Sequence, residues 1–348
     1  SQGLIYKGYT IQPYSPAAGT GLSSHELNMP GCYRDVKDTT VTAMFRMTSP
    51  QGAFKTDWGE TYFMAWTTTP WTLPSNTALC VGPKIDYVLV NTFNPYTAQP
   101  ISVVMAEARI ASYFNPAGAE AAMENYEKGG KILPYRVVAH FKGTDLEGLK
   151  YEQLFAYVNP GEGAFRVILG DYVSTEDGTG IVHIAPTFGA DDAFVAKKAG
   201  VPALQLIDKN GNKRPMVDLK GRFYKLEDLD EDFKQKHMNV DLYKTYAGRF
   251  VKNAYDDKLT DKDETLDISI CMELKASGLA FRIEKHVHNY PHCWRTDKPI
   301  LYYPLDSWFI RSTARKERMF ELNKNIKWKP QSTGTGRFGK WLENLNDW

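Results

Sequence analysis

Residues 165–200 read FRVILGDYVSTEDGTGIVHIAPTFGADDAFVAKKAG, and the order of signals in this stretch decides the fold class. Two short runs rich in branched apolar residues, FRVILGDYV (165–173) and GIVHIAP (180–186), read as strands separated by a turn that carries acids and glycine. The period then changes. Asp191 and Asp192 suit the positive end of a helix, and Gly200 suits its stop. Outward from here the β-type run recurs: TYFMAWTTT (61–69), YVLVNTF (87–93), ISVVMAEARI (101–110) and YRVVAHF (135–141). In 40–48, Val41, Ala43, Phe45 and Met47 alternate with more polar neighbours, the period of a half-buried strand. A second helix is expected where Leu266, Ile270 and Leu274 recur at i, i+4 and i+8 before Gly278. The expected class is α+β and β-rich, a barrel-like mixed β core with peripheral helices and extended connectors at both ends.

The connectors set the expected domains. Residues 1–35 are rich in Gly, Pro, Ser and Tyr without sustained period and read as an N-terminal connector. The core is expected over 36–265, and 266–348 as a helical and extended return segment. The 348 residues carry 42 Lys plus Arg against 41 Asp plus Glu, with 43% apolar and 24% charged residues, which excludes the composition of a disordered chain. Charge is nevertheless segregated: residues 227–267 hold 12 acidic and 7 basic residues, a balance of −5, and 282–340 hold 13 basic and 5 acidic, or +8. The basic stretch reads either as a solvated face or as a contact for a polyanion. Cys32, Cys80, Cys271 and Cys293 have no paired spacing, and no apolar run approaches the roughly 18 residues of a membrane span, so a cytoplasmic protein with no membrane partner is expected.

Common catalytic signatures are missing: there is no HExxH, GxSxG or Walker loop. Gly334, Gly336 and Gly339 spell GxGxxG, but no strand signal precedes them, so no dinucleotide site is expected. His286, His288, His292 and Cys293 could ligate zinc or be ordinary histidines. Two segments stand apart. TTTPWTLPSNTA (67–78) runs a strand into Thr67, Thr68 and Thr69, with two prolines fixing a backbone from which Thr72 and Asn76 project hydrogen-bonding groups. GTGIVHIAPTFGADDAF (178–194) combines glycines that allow close backbone approach, His183 on one strand face with Ile181 and Ala185, and the Asp191–Asp192 pair. From the residues alone, these are equally readable as a Thr-rich strand end, a core histidine and two helix-capping acids.

At these residues the chain resembles the isoleucyl branch of the class I aminoacyl-tRNA synthetases, specifically their inserted editing domain, connective peptide 1. TTTPWTLPSN looks like that family's Thr-rich segment and GTGIVHIAPTFGADD like its GTGIVHxAPxFGxDD segment; Pro70, Trp71, His183 and Phe188 favour the isoleucyl over the valyl and leucyl branches. YKGYTIQPYSPAAGTGLS (6–23) looks like the path into the insertion and YPHCWRTDKPILYYPLDSWFI (290–310) like the path back. Thr296 stands where many members carry a second Cys after HCWR, which puts a connector zinc in doubt and leaves no cofactor expected. HIGH and KMSKS, the ATP-handling signatures, do not occur, so the resemblance implies an excised domain without amino-acid activation.

The activity implied is hydrolysis of mischarged valyl-tRNA(Ile) at the tRNA acceptor end, with esterified valine as substrate and the rest of the synthetase as partner. The resemblance gives Asp192 the substrate's α-ammonium, with Asp191 as its understudy. It sets Thr67, Thr68 and Thr69 against the terminal adenosine or the water, and Thr72 and Asn76 beside the ester. His183 bounds the side-chain pocket and excludes isoleucine, in company with Trp71, Phe188 and Gly180. A tRNA-positioning module without catalysis and a valyl or leucyl editing domain are the competing readings.

Overall fold

In the computed structural model, which describes residues 2–124, 126–260 and 262–348, nine strands position the residues singled out above. In chain order they are β1 (Tyr33–Arg46), β2 (Glu60–Thr67), β3 (Ala78–Val81), β4 (Asp86–Phe93), β5 (Pro100–Ala106), β6 (Arg136–Lys142), β7 (Arg166–Leu169), β8 (Ile181–Ile184) and β9 (Ala280–Pro291). Six of them form an open sheet in the order β9-β1-β2-β5-β4-β6, and the other three an open sheet in the order β8-β3-β7. Both sheets are mixed: β2 runs parallel to β5 and β3 parallel to β7, while the remaining pairs are antiparallel. The class is α+β and β-rich, with a mixed β core and helices at its periphery.

β1 departs from its expected half-buried alternation. From Thr40 to Phe45 every residue is buried, because both faces of the sheet are covered. On one face Met44 joins Met64, Val88, Val103 and Phe281 in an apolar cluster. On the other, Phe45 and Phe63 pack edge-on against Tyr151, with ring centroids 5.4 and 6.5 Å apart. The threonines between them satisfy their hydroxyls locally, as Thr42 does with the Tyr113 hydroxyl at 3.1 Å.

The three-stranded sheet packs Ala78, Cys80, Ile168 and Ile184 in one apolar cluster with Val195 and Ala196 of the helix Ala190–Ala199. That helix ends as expected, on Gly200 with φ +68°, a left-handed residue that glycine tolerates. The second expected helix spans Leu266–Ala276 and is capped by the Thr265 hydroxyl, which accepts the Ile268 amide at 3.2 Å.

The chain divides into two compact units, Gln12–Tyr303 and Ser1–Ile11 with Pro304–Trp348. The boundaries expected at 35/36 and 265/266 do not coincide with them. β9 forms the edge of the large sheet by pairing with β1, and β1 itself begins at Tyr33. Nor is 1–35 free of regular structure. It holds the strand Ile5–Ser15 and, over Ser24–Leu27, a helical turn with a Ser23–Glu26 capping box. In Pro304–Trp348 the GxGxxG glycines have a packing cause. A Cβ on Gly334 would lie 2.1 Å from the Trp328 ring, and one on Gly339 would lie 2.5 Å from the Gly334 carbonyl oxygen.

Candidate functional site

The Thr-rich segment is the bridge from one sheet to the other. β2 ends at Thr67, whose hydroxyl accepts the Thr69 amide at 3.1 Å and turns the chain out of the large sheet. Pro70 then opens a 3-10 turn, Pro70–Ser75, all of it buried, and β3 starts at Ala78 in the small sheet. Two backbone bonds close the turn, Thr72 to Thr69 and Asn76 to Leu73, each 3.0 Å. Thr69 sits at the N-cap, but its side chain makes no cap bond. The Trp71 amide is held instead by Asp267 Oδ1, 2.9 Å away on the helix Leu266–Ala276.

β8 lies antiparallel to β3, with His183 opposite Leu79, and this register delivers the imidazole to the turn. His183 Nε2 is 2.9 Å from the Thr72 hydroxyl and Nδ1 is 3.4 Å from Asn76 Nδ2. An amide nitrogen only donates, so Nδ1 is the acceptor and Nε2 carries the proton. Nε2–H donates to Thr72 Oγ1, which donates onward to the Thr69 carbonyl at 2.8 Å. The Asn76 carbonyl oxygen accepts from the Tyr151 hydroxyl at 2.6 Å. Every step in this chain is consistent with a neutral ring, and burial pushes the His183 pKa down to about 4. Thr69 Oγ1 lies 3.3 Å from Thr67 Oγ1 and 3.5 Å from Thr72 Oγ1, completing one set of polar groups from residues 67–76, 151 and 183.

The far end of the second segment is built differently. After Ala185 the chain turns, with the Phe188 amide on the Ala185 carbonyl, and enters the helix at Gly189, which offers no capping side chain. Asp192 reaches back out of the helix, and its Oδ2 accepts the Ala185 amide at 2.8 Å. Its other oxygen accepts no hydrogen bond among the described residues. Burial raises the Asp192 pKa to about 6, opposed by the Ala185 amide and reinforced by Asp191. Gly189 leaves room for this carboxylate: a Cβ there would lie 2.8 Å from Asp192 Cγ. The two segments meet where Trp71 and Phe188 pack edge to face, centroids 4.9 Å apart.

Thr67, Thr69, Thr72, Asn76 and His183 thus come together in one hydrogen-bonded set, Trp71 and Phe188 in one aromatic contact, and Asp192 binds the backbone two residues past His183. Thr68 is half-buried, with no hydrogen bond to its hydroxyl among the described residues. Gly180 and Asp191 fall outside the set. Gly180, at φ +76°, is packed where a Cβ would lie 2.4 Å from that of Ala106, and its carbonyl accepts the Tyr87 hydroxyl. Asp191 is exposed, beside Tyr172, Phe194 and Lys198. His286 rests edge-on against Trp66, His288 pairs with Asp38 at 3.1 Å, and Cys293 is buried; among the described residues no group of three or more His, Cys, Asp or Glu could hold a metal ion.

Two contributors have no local signal in the sequence. Tyr151 and Asp267 act on Asn76 and Trp71 across 75 and 196 positions, respectively. The same two segments also concentrate buried polar atoms without a hydrogen-bond partner among the described residues: Trp71 Nε1, Ser75 Oγ, Thr77 Oγ1 and Thr187 Oγ1. Buried groups of that kind are rare in a native fold.

Known proteins bear on the whole chain. Isoleucine--tRNA ligase of Bacteroides fragilis is 73% identical over 347 residues, which cover 100% of this chain and 30% of the relative. The Porphyromonas gingivalis protein of the same name is 66% identical, again over 100% of this chain and 30% of its own length. The chain therefore spans about 30% of the length of these curated relatives. Among solved structures, the P. falciparum cytosolic leucyl-tRNA synthetase editing domain is 12% identical with a TM-score of 0.38, covering 71% of this chain and 99% of that one. GlLeuRS-CP1 is 16% identical with a TM-score of 0.32, covering 47% and 65%. The family described as tRNA synthetases class I (I, L, M and V) matches residues 1–348, and the chain belongs to it.

Proposed function

We propose that this chain hydrolyses mischarged valyl-tRNA(Ile), releasing valine and free tRNA, as the editing part of an isoleucyl-tRNA synthetase acting in the cytoplasm. The observation that carries the reading is the meeting of the Thr-rich turn with His183 in one largely buried polar set, near a carboxylate, Asp192, one oxygen of which has no hydrogen-bond partner among the described residues. The likeness of the whole chain to isoleucine--tRNA ligases supports it. Isoleucine and valine differ by one methylene, and for isoleucyl enzymes that group is known to be worth only about 1 to 3 kcal/mol of selectivity, so a second, smaller sieve is needed.

In this reading the ester is already activated, and the site has to orient it, supply water and stabilise oxyanion charge. Asp192 anchors the substrate α-ammonium through a charge-assisted hydrogen bond, and Asp191 is a more exposed second acid. Thr67, Thr68 and Thr69 hold the terminal adenosine or the attacking water, with Thr72 and Asn76 beside the ester. His183 bounds the amino-acid side chain and excludes isoleucine. Its engaged nitrogens and its pKa near 4 argue against a general base. The basic stretch 282–340 contributes contacts to tRNA phosphates, and the remainder of the synthetase supplies the rest of the tRNA surface.

The test is deacylation by the chain alone, with valyl-tRNA(Ile) and isoleucyl-tRNA(Ile) compared at equal concentration. Hydrolysis of the valyl ester, none of the isoleucyl ester and no isoleucine-dependent pyrophosphate exchange are expected. Binding of tRNA(Ile) without any deacylation would establish a positioning module instead, and preference for another mischarged tRNA would move the chain to a sister specificity.

A further inference from the structure

We propose that Asp267 is a positioning residue for the editing reaction, capping the Pro70–Ser75 turn from a distant helix and so releasing the Thr69 hydroxyl into the threonine set. The inference rests on the editing reading given above. Asp267 is the second residue of the helix Leu266–Ala276, yet it does not serve that helix, whose N-cap is the Thr265 hydroxyl on the Ile268 amide. Its Oδ1 crosses instead to the Trp71 amide at 2.9 Å.

That amide is the one a residue in the place of Thr69 ordinarily serves. A threonine preceding a helical turn caps it by accepting an amide hydrogen two or three residues further along. Thr69 makes no such bond. Its hydroxyl lies between those of Thr67 and Thr72 at 3.3 and 3.5 Å, and Thr72 is in turn the partner of His183. Substituting one acceptor for the other explains how a buried turn stays satisfied while its N-cap hydroxyl faces other groups.

The surroundings show that this arrangement has a cost the fold sustains. Asp267 is 4% exposed. Burial drives its pKa up to about 7, while Lys252, the Trp71 amide and Lys285 pull it down and Asp38 pushes it up. Lys252 is itself committed to Asp38, at 2.9 Å, and His288 shares that same carboxylate oxygen. A buried carboxyl is an expensive way to cap one amide if the nearest hydroxyl could do it. The expense is explained if that hydroxyl is needed elsewhere.

The experiment compares Asp267→Asn, Asp267→Glu and Asp267→Leu with the wild type in steady-state deacylation of valyl-tRNA(Ile), with melting curves to confirm folding. Asparagine keeps an acceptor oxygen in place without the charge, glutamate keeps the charge but displaces the acceptor, and leucine removes both. Asp267→Asn is expected to stay within about threefold of wild-type kcat, while Asp267→Glu and Asp267→Leu lose about 10- to 100-fold in kcat with KM little changed, as for a misplaced reacting group. Folded Asp267→Leu with wild-type kcat overturns the proposal. So does Asp267→Asn falling as far as Asp267→Glu, since charge rather than acceptor geometry would then matter. If Asp267→Leu does not fold, the asparagine and glutamate variants decide alone. A wild-type chain that fails to deacylate the ester sinks the editing reading instead. In that case Trp71 amide exchange, slow in Asp267→Asn and fast in Asp267→Glu if the cap is real, shows separately whether the capping geometry stands.

Discussion

His183 and Asp192 lie nine positions apart on one stretch of chain and are built in opposite ways. Both ring nitrogens of His183 are engaged, by Thr72 and Asn76, and burial holds the ring neutral. Asp192 has one oxygen on a backbone amide and one with no partner among the described residues, and burial holds its proton more tightly than usual. A saturated polar group can define a shape but has no hydrogen bond left to give. A half-satisfied carboxylate at a helix start has capacity for a cation. The contrast divides the proposed roles, with exclusion at His183 and anchoring at Asp192.

The largest effect expected is at Asp192. A charge-assisted hydrogen bond is worth about 1.5 to 3 kcal/mol, and a carbonyl displaced by about 1 Å loses roughly a further hundredfold, so Asp192→Ala should reduce deacylation of valyl-tRNA(Ile) about a thousandfold to ten-thousandfold. Its melting temperature should fall only modestly: the truncation strands the buried Ala185 amide, at a cost of about 1 to 3 kcal/mol, and this is partly offset because the carboxyl that is lost was disfavoured as a charge by burial. A folded variant with wild-type activity would remove Asp192 from the site, and a large fall in melting temperature would return it to a structural role at the helix start.

Next in size is His183→Ala, which should let cognate isoleucyl-tRNA(Ile) be hydrolysed. An extra methylene forced into a filled pocket costs roughly 1 to 3 kcal/mol, so opening the wall should raise isoleucyl hydrolysis by about 5- to 150-fold while valyl hydrolysis survives. The truncation also removes one hydrogen bond each from Thr72 and Asn76, which keep their bonds to the Thr69 and Ala78 carbonyls, and it leaves a cavity in a buried site, so a lower melting temperature is expected with it. Rates should therefore be taken well below the melt. Loss of both activities in folded protein would mean that His183 acts in the chemistry; unchanged selectivity would leave it a core histidine.

Gly189→Ala addresses the other half of the comparison with a smaller push. The backbone there, φ −137°, accepts alanine, but the new Cβ would sit 2.8 Å from Asp192 Cγ and 3.0 Å from its Oδ2. The carboxylate must move, and roughly a tenfold loss of kcat/KM for the valyl ester is expected without loss of fold, a fraction of the penalty for a full misplacement. An unaffected rate would show that the position of Asp192 matters little to the ester.

How far this site could be read from sequence followed from the range of the interactions. The strands around 61–67, 87–93 and 136–141 and both main helices were legible because period, acids and stopping glycines are local signals. The N-terminal strand Ile5–Ser15 was not: over its first six residues the exposed face carries Ile5 and Tyr9 and the half-buried face Gly8 and Thr10, so apolar residues do not mark its covered side. Full burial of Thr40–Phe45 was also hidden, since the second covering layer is supplied by Tyr151 from a remote part of the chain. In the candidate site the residues themselves stood out by type and motif. Their grouping did not, because the β8–β3 register brings His183 to Thr72, while Tyr151 and Asp267 reach Asn76 and Trp71 across long sequence separations.

The smallest expected effect tests the contrast through pH, with opposite signs at the two residues. His183 has its folded pKa lowered from 6.5 to about 4, so below pH 6.5 the unfolded ring takes up a proton that the folded ring refuses, and stability falls on acidification. Asp192 has its folded pKa raised from 3.8 to about 6, so below pH 6 the folded carboxyl takes up a proton before the unfolded one does, and stability rises on acidification. Between pH 7 and 5.5 the His183 contribution amounts to a loss of about 1 kcal/mol, and that of Asp192 to a gain of somewhat less, reduced further by its partial exposure. The buried Asp267, raised to about 7, adds to the gain and is common to all the variants compared. Urea midpoints at the two pH values should therefore move apart. His183→Gln should gain on the wild type as pH falls, and Asp192→Asn should lose ground against it. Parallel curves for all three proteins would mean that neither group is held as far from its ordinary pKa as its burial requires, and the division between a saturated wall and a half-satisfied anchor would lose its electrostatic basis.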